Sequence, residues 1–164
     1  MKTKTQKIVF SALLAAVTCV MTFIIRIPTP LKGYMNLGDA AVLLSSSLLP
    51  PAYAFLSAGL GSALADASAG YMVYVPATFL IKGIMTYIVS LGFKFFKKCK
   101  FFASVLSYIL AEFFMILGYY VFEGFLYGFK ASIVNIPANA FQGLVAIIVS
   151  TVLYKFLHKI KITK

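Results

Sequence analysis

The chain has 164 residues, of which 62% are hydrophobic and 12% charged, with a net charge of +11. A soluble domain carries about 25% charged residues, so there is too little polar surface here to cover a water-soluble globule, whereas a lipid-facing surface has to be apolar. The excess of base does not point to a nucleic-acid partner, because the lysines fall in short clusters between apolar runs, where membrane proteins place them.

The N-terminal segment, Lys2 to Lys7 followed by an apolar run, has the outline of a signal peptide. No A-x-A site follows it, and Thr18 ahead of Cys19 is a poor lipobox residue, so it reads as a retained first helix. It is the first of six predicted membrane spans, at 8–25, 37–49, 52–68, 76–93, 103–122 and 136–157. The second is shorter than the about 20 residues that cross about 30 Å of hydrocarbon. Pro50-Pro51 cuts it off, since neither can continue a helix; it starts earlier or does not cross fully. Cys19 lies in the first span and Cys99 in a lysine-rich loop, with no metal spacing and no disulfide framework. No low-complexity tract or internal repeat divides residues 1–164, which read as a single membrane domain.

Orientation follows from Lys and Arg. With the N-terminus inside, Lys2, Lys4, Lys7, Lys94, Lys97, Lys98, Lys100, Lys155, Lys159, Lys161 and Lys164 are all cytoplasmic, eleven in number. The outer loops hold three, Arg26, Lys32 and Lys130, and Lys82 lies within a span. This asymmetry predicts an N-in/C-in topology with an even number of helices. The expected fold class is an all-α integral membrane protein, a six-transmembrane-helix bundle in the cell membrane.

Ionisable groups within a membrane are costly and mark function. Asp39 is near the outer start of the second span and Asp66 near the outer end of the third. Lys82 is about two turns, roughly 9 Å, into the fourth. Glu112 is near the midplane of the fifth, and Asn135, Asn139 and Gln142 are at the outer end of the sixth, on neighbouring helix faces. Tyr71, Tyr74, Tyr119 and Tyr120 stand at the same outer level. The inner halves hold serines and threonines but no internal charge. The set describes a pocket open to the outside, whereas a channel or a self-sufficient carrier needs polar groups through its whole depth.

Structural roles are open to the same residues. Asp39 suits a helix N-cap or first-turn acid, Asp66 can bond loop amides, the tyrosines suit an interfacial belt, and Lys82 can snorkel. Glu112 is too deep to snorkel and must be paired, protonated or bound to something, with Lys82 its one internal cationic candidate. Small-residue faces at Ser11, Ala12, Ala15 and Ala16 of the first span, and at Ala54, Ser57, Ala58, Gly61, Ser62 and Ala65 of the third, allow close helix approach. The third is read as internal packing.

The runs Gly33-Tyr34-Met35-Asn36-Leu37-Gly38-Asp39-Ala40, Gly59-Leu60-Gly61-Ser62-Ala63-Leu64-Ala65-Asp66, Gly70-Tyr71 and Tyr74-Val75-Pro76-Ala77-Thr78-Phe79-Leu80-Ile81-Lys82-Gly83 resemble the substrate-binding S components of energy-coupling factor (ECF) vitamin transporters. The likeness is greatest to the subgroup for hydroxymethylpyrimidine, for which riboflavin-type labels are also in use. It spans nearly the whole chain, in motif from Gly33 to Gly83 and in pattern beyond.

The resemblance implies a subunit that binds a vitamin from outside through its first outer loop and helices four to six. It implies docking on a membrane T component driven by two cytoplasmic ABC-type ATPases, and toppling in the membrane to deliver the ligand. The A-x-x-x-A docking motif of that family matches Ala12 and Ala16. The expected substrate-binding residues are Tyr34, Asn36, Asp39, Tyr74, Lys82, Glu112, Asn139 and Gln142. No catalytic residue, metal or cofactor is expected, and ATP is left to the partners, since the chain has no P-loop. A carboxylate bonding an aminopyrimidine edge, with aromatics on the ring face, favours a pyrimidine. Riboflavin and pyridoxine are alternatives, as is pantothenate, whose carboxylate would use Lys82.

Two rival readings differ in class. A stand-alone small transporter would act without ATPases. An intramembrane aspartic peptidase needs two carboxylates within hydrogen-bonding reach, the part open to Asp39 and Asp66, but Asp39 lies between Gly38 and Ala40 rather than in an N-x-x-D-R motif.

Overall fold

Thr3 starts the first helix. Its hydroxyl accepts the Gln6 N–H at 3.2 Å, while the Gln6 side chain accepts the Thr3 N–H at 3.3 Å, a reciprocal cap that satisfies two otherwise orphaned donors. From there a computed structural model describes residues 3–31, 33–95 and 100–159. The helices are α1 (Lys4–Ile24), α2 (Gly38–Leu48), α3 (Pro51–Ser68), α4 (Val75–Phe95), α5 (Lys100–Tyr127), the short α6 (Phe129–Ser132) and α7 (Ile136–Lys159), with a 3-10 turn at Ile133–Asn135 before α7. Among the charges behind the expected orientation, Lys2, Lys32, Lys97, Lys98, Lys161 and Lys164 lie outside the described residues, as does Cys99.

Four helical stretches among the described residues are long and apolar enough to cross a membrane: Lys4–Ile24, Val75–Phe95, Phe101–Tyr127 and Phe129–Leu157. The α2 helix has 11 residues, about 16 Å of rise, and so does not cross on its own. It ends at Leu49, where Pro50 takes an extended conformation and Pro51 opens α3 as an N-terminal proline. The all-α expectation holds, with one small addition. The loop between α1 and α2 folds back as a two-stranded antiparallel ribbon, β1 (Ile27–Pro28) with β2 (Tyr34–Met35), pairing Ile27 with Met35 and Pro28 with Tyr34. One correction is the length of α5, which continues past 122 to Tyr127 and stops where Gly128 takes a φ of 92°, a conformation that favours glycine.

The core surrounds α2. Val42 and Leu43 pack with Ala58 of α3, Met85 and Val89 of α4, Tyr108, Ala111 and Met115 of α5, and Ala146 of α7. Two side-chain bonds fasten α2 to its neighbours: Ser150 donates to the Ala40 carbonyl at 3.0 Å, and the Ser47 and Tyr108 hydroxyls share a bond of 2.6 Å. The small-residue face of α3 is buried, as expected of internal packing. Gly61 lies so close to α1 that a Cβ there would collide with the Ala15 carbonyl oxygen. The outward surface is apolar, with Leu13, Leu64, Phe113, Leu144 and Phe156 each about half exposed or more, as lipid contact requires.

Candidate functional site

The up-and-down order of the helices brings the β1–β2 ribbon, the α3–α4 loop and the ends of α5 and α7 to one end of the bundle. There they line a polar pocket, partly open to the outside of the bundle, with an internal volume of about 30 Å³. It is lined by Thr29, Gly33, Tyr34 and Asn36 from the first loop, Asp66, Tyr71 and Tyr74 from the end of α3 and the loop after it, Thr78 from α4, Tyr119 and Glu123 from α5, and Asn139 and Gln142 from α7. Its charged lining consists of two carboxylates, with no Lys, Arg or His among the described lining residues.

Five of the expected residues line this cavity: Tyr34, Asn36, Tyr74, Asn139 and Gln142. Tyr34 donates to Asp66 Oδ1 at 2.5 Å and stacks at a tilt on Tyr71, with ring centroids 4.7 Å apart. Burial, with the Asp66 carboxylate next in weight, pushes the Tyr34 phenol well above its ordinary pKa; it stays a hydrogen-bond donor. The Tyr74 hydroxyl donates to the Leu31 carbonyl at 2.9 Å and lies 3.2 Å from Glu123 Oε1. Its pKa too is raised, by burial first and then by Glu123.

Asp39 and Lys82 stand behind the cavity wall. They form an ion pair, with Asp39 wholly buried and Lys82 2% exposed, so Lys82 does not snorkel. Asp39 lies in the first turn of α2 but is not its cap; Asn36 Oδ1 accepts the Gly38 N–H at 2.8 Å instead. Gln142 joins this pair to the loop: its amide donates to Asp39 Oδ2 at 2.6 Å, and its carbonyl accepts the Asn36 N–H at 2.8 Å. The Lys82 ammonium also sits 5.2 Å from the centroid of Tyr119, whose hydroxyl meets Thr78 at 3.0 Å.

Glu112 is not brought to the cavity. It is 2% exposed, both its oxygens lack a hydrogen-bond partner, and it packs against Gly143, where a Cβ would stand 3.1 Å from the carboxylate. Lys82, the one internal cationic candidate for Glu112, pairs with Asp39 instead, because the short α2 starts inside the bundle beside α4.

Glu123 was absent from the expected set. It falls one residue beyond the predicted fifth span, which ends at 122, and the longer α5 carries it into the cavity wall, where Asn135 donates to its Oε1 at 2.9 Å. Tyr71, Tyr119, Thr29, Thr78 and Asp66 also join the lining. Their common outer depth was the available signal. Tyr120 packs instead on Phe129, at 5.8 Å between centroids. Asp39 and Asp66 take different partners, Lys82 with Gln142 and Tyr34 respectively, and do not form the shared pair that an aspartic peptidase needs.

On α1 the small-residue face divides in two. Ser11 accepts a bond from Ser57 at 2.9 Å through its carbonyl, and Ala15 lies against Gly61. Ala12 and Ala16 remain exposed.

Several long apolar helices around a polar cavity define a multi-pass membrane protein. A sequence profile of the ECF-type riboflavin transporter S component matches residues 2–159, and the chain belongs to this family of ECF transporter S components. A protein of Pyrococcus woesei described as an uncharacterized protein in gap 3'region is 33% identical over 133 residues, covering 79% of this chain and 86% of its own. A solved S component of a bacterial ECF transporter has a TM-score of 0.75 at 24% identity, over 96% of this chain and 98% of its own. The S-component for biotin from an ECF-type ABC transporter has a TM-score of 0.61 at 19% identity, over 94% and 95%. At these identities the two structures establish the fold. S components are vitamin-binding transport subunits, not enzymes, and work with a membrane T component and ATPases.

Proposed function

We propose that this chain is the high-affinity binding subunit of an ATP-driven uptake transporter in the cell membrane, and that it takes up an aminopyrimidine of the hydroxymethylpyrimidine type. The observation that carries the ligand class is the composition of the cavity wall. Asp66 and Glu123, the amides of Asn36, Asn139 and Gln142, and four tyrosines surround the space without a cation among the described lining residues. A flat, nitrogen-rich ring offers donors to carboxylates and a face to aromatics. An anionic vitamin such as pantothenate meets two like charges there, and Lys82 is already held by Asp39. Riboflavin is the second reading, favoured by the name of the matching family; pyridoxine, with neither a ring amino group nor a family match, ranks behind both.

The remaining parts of the reading follow from charge and surface. Eleven cytoplasmic Lys residues against three outer Lys and Arg residues favour six passes with both ends inside, the second made by the short α2 together with the loop residues ahead of it and the third by α3. In that orientation the cavity opens outward. The exposed Ala12 and Ala16 offer a flat strip of α1 to a T component, and two ABC-type ATPases supply the energy, with no cofactor in this chain.

Coexpression with a T component and two ATPases tests the role. The chain should copurify with all three and support ATP-dependent uptake of labelled hydroxymethylpyrimidine. Uptake by the chain alone, undiminished when the ATPases are inactivated, would make it a stand-alone transporter.

A further inference from the structure

Glu123 Oε2, Asn135 Oδ1 and Thr29 Oγ1 are buried oxygens without a hydrogen-bond partner, all at the corner where the first loop meets α5 and the turn before α7. Glu123 is 3% exposed and Asn135 2%. The other halves of these groups are engaged. Glu123 Oε1 accepts from Asn135 Nδ2 at 2.9 Å and lies 3.2 Å from the Tyr74 hydroxyl. The Asn135 amide is thereby oriented, because turning it over would set its carbonyl against a carboxylate. Gly33 roofs the corner: a Cβ there would lie 3.0 Å from Thr29 Oγ1 and 3.6 Å from Glu123 Oε1. Thr29, Gly33, Tyr74 and Glu123 all face the cavity.

A buried carboxylate oxygen with an unengaged lone pair is costly until a donor reaches it, and among the described residues this corner has three unpartnered oxygens against one unengaged proton, that of Thr29. Tyr74 cannot supply the deficit, since its single proton is shared between Leu31 and Glu123. We infer that this corner is the subsite for the donor edge of the ligand, an amino group on a heteroaromatic ring, with Glu123 Oε2 as the principal acceptor and Thr29 as the second. Asn135 is a positioning residue that holds Oε1 and leaves Oε2 free. A primary amino group brings two protons and satisfies both acceptors. A hydroxyl brings one, and a ligand carbonyl or carboxylate meets only lone pairs at Glu123. The inference rests on the reading that the cavity is the vitamin site, and it assigns the end at which the ring's amino group lies.

The test is calorimetric titration of the purified full-length chain with hydroxymethylpyrimidine and with its counterpart in which a ring carbonyl replaces the amino group. The wild type should prefer the amino compound by about tenfold or more, and Glu123→Gln should lose about ten- to a hundredfold for that compound but much less for the carbonyl one. Thr29→Val, isosteric and on the loop, should show a smaller loss in the same sense. Equal effects of Glu123→Gln on both compounds, or none, would overturn the subsite. So would sodium-dependent stabilisation of the wild type that Glu123→Gln abolishes while the preference persists, which would assign the corner to a cation. If the wild type binds neither compound, the pyrimidine reading fails separately. The subsite is then judged on the vitamin that mass spectrometry finds bound: a tenfold loss in Glu123→Gln upholds it, and unchanged affinity overturns it.

Discussion

Gln142 donates to Asp39 Oδ2 at 2.6 Å, joining α7 to the first turn of α2. The same side chain accepts the Asn36 N–H at 2.8 Å, so one amide links the first loop, the buried ion pair and the cavity wall. Gln142→Leu leaves a buried carboxylate oxygen and a backbone N–H unpaired, at about 1–3 kcal/mol each. The variant should unfold at lower temperature in detergent by an amount matching about 2–6 kcal/mol, and should bind ligand more weakly because the loop loses its tether. Gln142→Glu should be worse, since it sets a second carboxylate against Asp39. Wild-type melting and affinity in Gln142→Leu would show that the amide carries no such link.

The Asp39–Lys82 pair is buried on both sides. Removing one member strands the other, at about 3–5 kcal/mol. Lys82→Met and Asp39→Asn should each destabilise strongly, while the double variant should lose clearly less than the sum of the two. A double-mutant cycle on thermal unfolding measures this, and strict additivity would mean that the two charges do not interact.

Glu112 separates depth from function. Its carboxyl touches no hydrogen-bond partner and does not line the cavity. Replacing it with an isosteric amide removes a buried carboxyl that stands near the Asp39–Lys82 pair, without breaking a hydrogen bond. Glu112→Gln should therefore keep or raise the melting temperature and leave ligand affinity within about twofold of wild type. A drop of about tenfold or more would return Glu112 to the binding site.

The exposed strip of α1 is tested by replacing Ala12 and Ala16 with Trp. Ala12 and Ala16 are exposed, while Ser11 and Ala15 meet α3, so ligand binding to the isolated chain should persist while copurification with the T component and ATPases is lost. Loss of ligand binding with the complex intact would make the two alanines ordinary packing residues.

The helix positions were readable from apolar runs broken by Pro50-Pro51 and by lysine clusters, and the motif block from Gly33 to Gly83 carried the family. Partners across helices were not readable. Depth placed Lys82 and Glu112 together, but depth along a helix does not state which face a side chain takes, and the short α2 turns Asp39 toward Lys82. Glu123 was hidden by a different error. Between Phe122 and Tyr127 only Gly124 disfavours a helix, and a single glycine is tolerated, so the apolar pattern allowed α5 to run on to Gly128, which takes a φ of 92°; ending the span at a membrane-crossing length left out the acid that lines the cavity. The loop ribbon, two residues on each strand, is too short to show a period-two pattern.

The ligand itself tests the account most directly. Mass spectrometry of the small molecule retained by gently purified protein should find an amino-bearing pyrimidine of the hydroxymethylpyrimidine type, at up to one per chain. Riboflavin or an anionic vitamin such as pantothenate in its place would contradict the reading of a cavity walled by Asp66 and Glu123 as a site for a donor-rich pyrimidine ring.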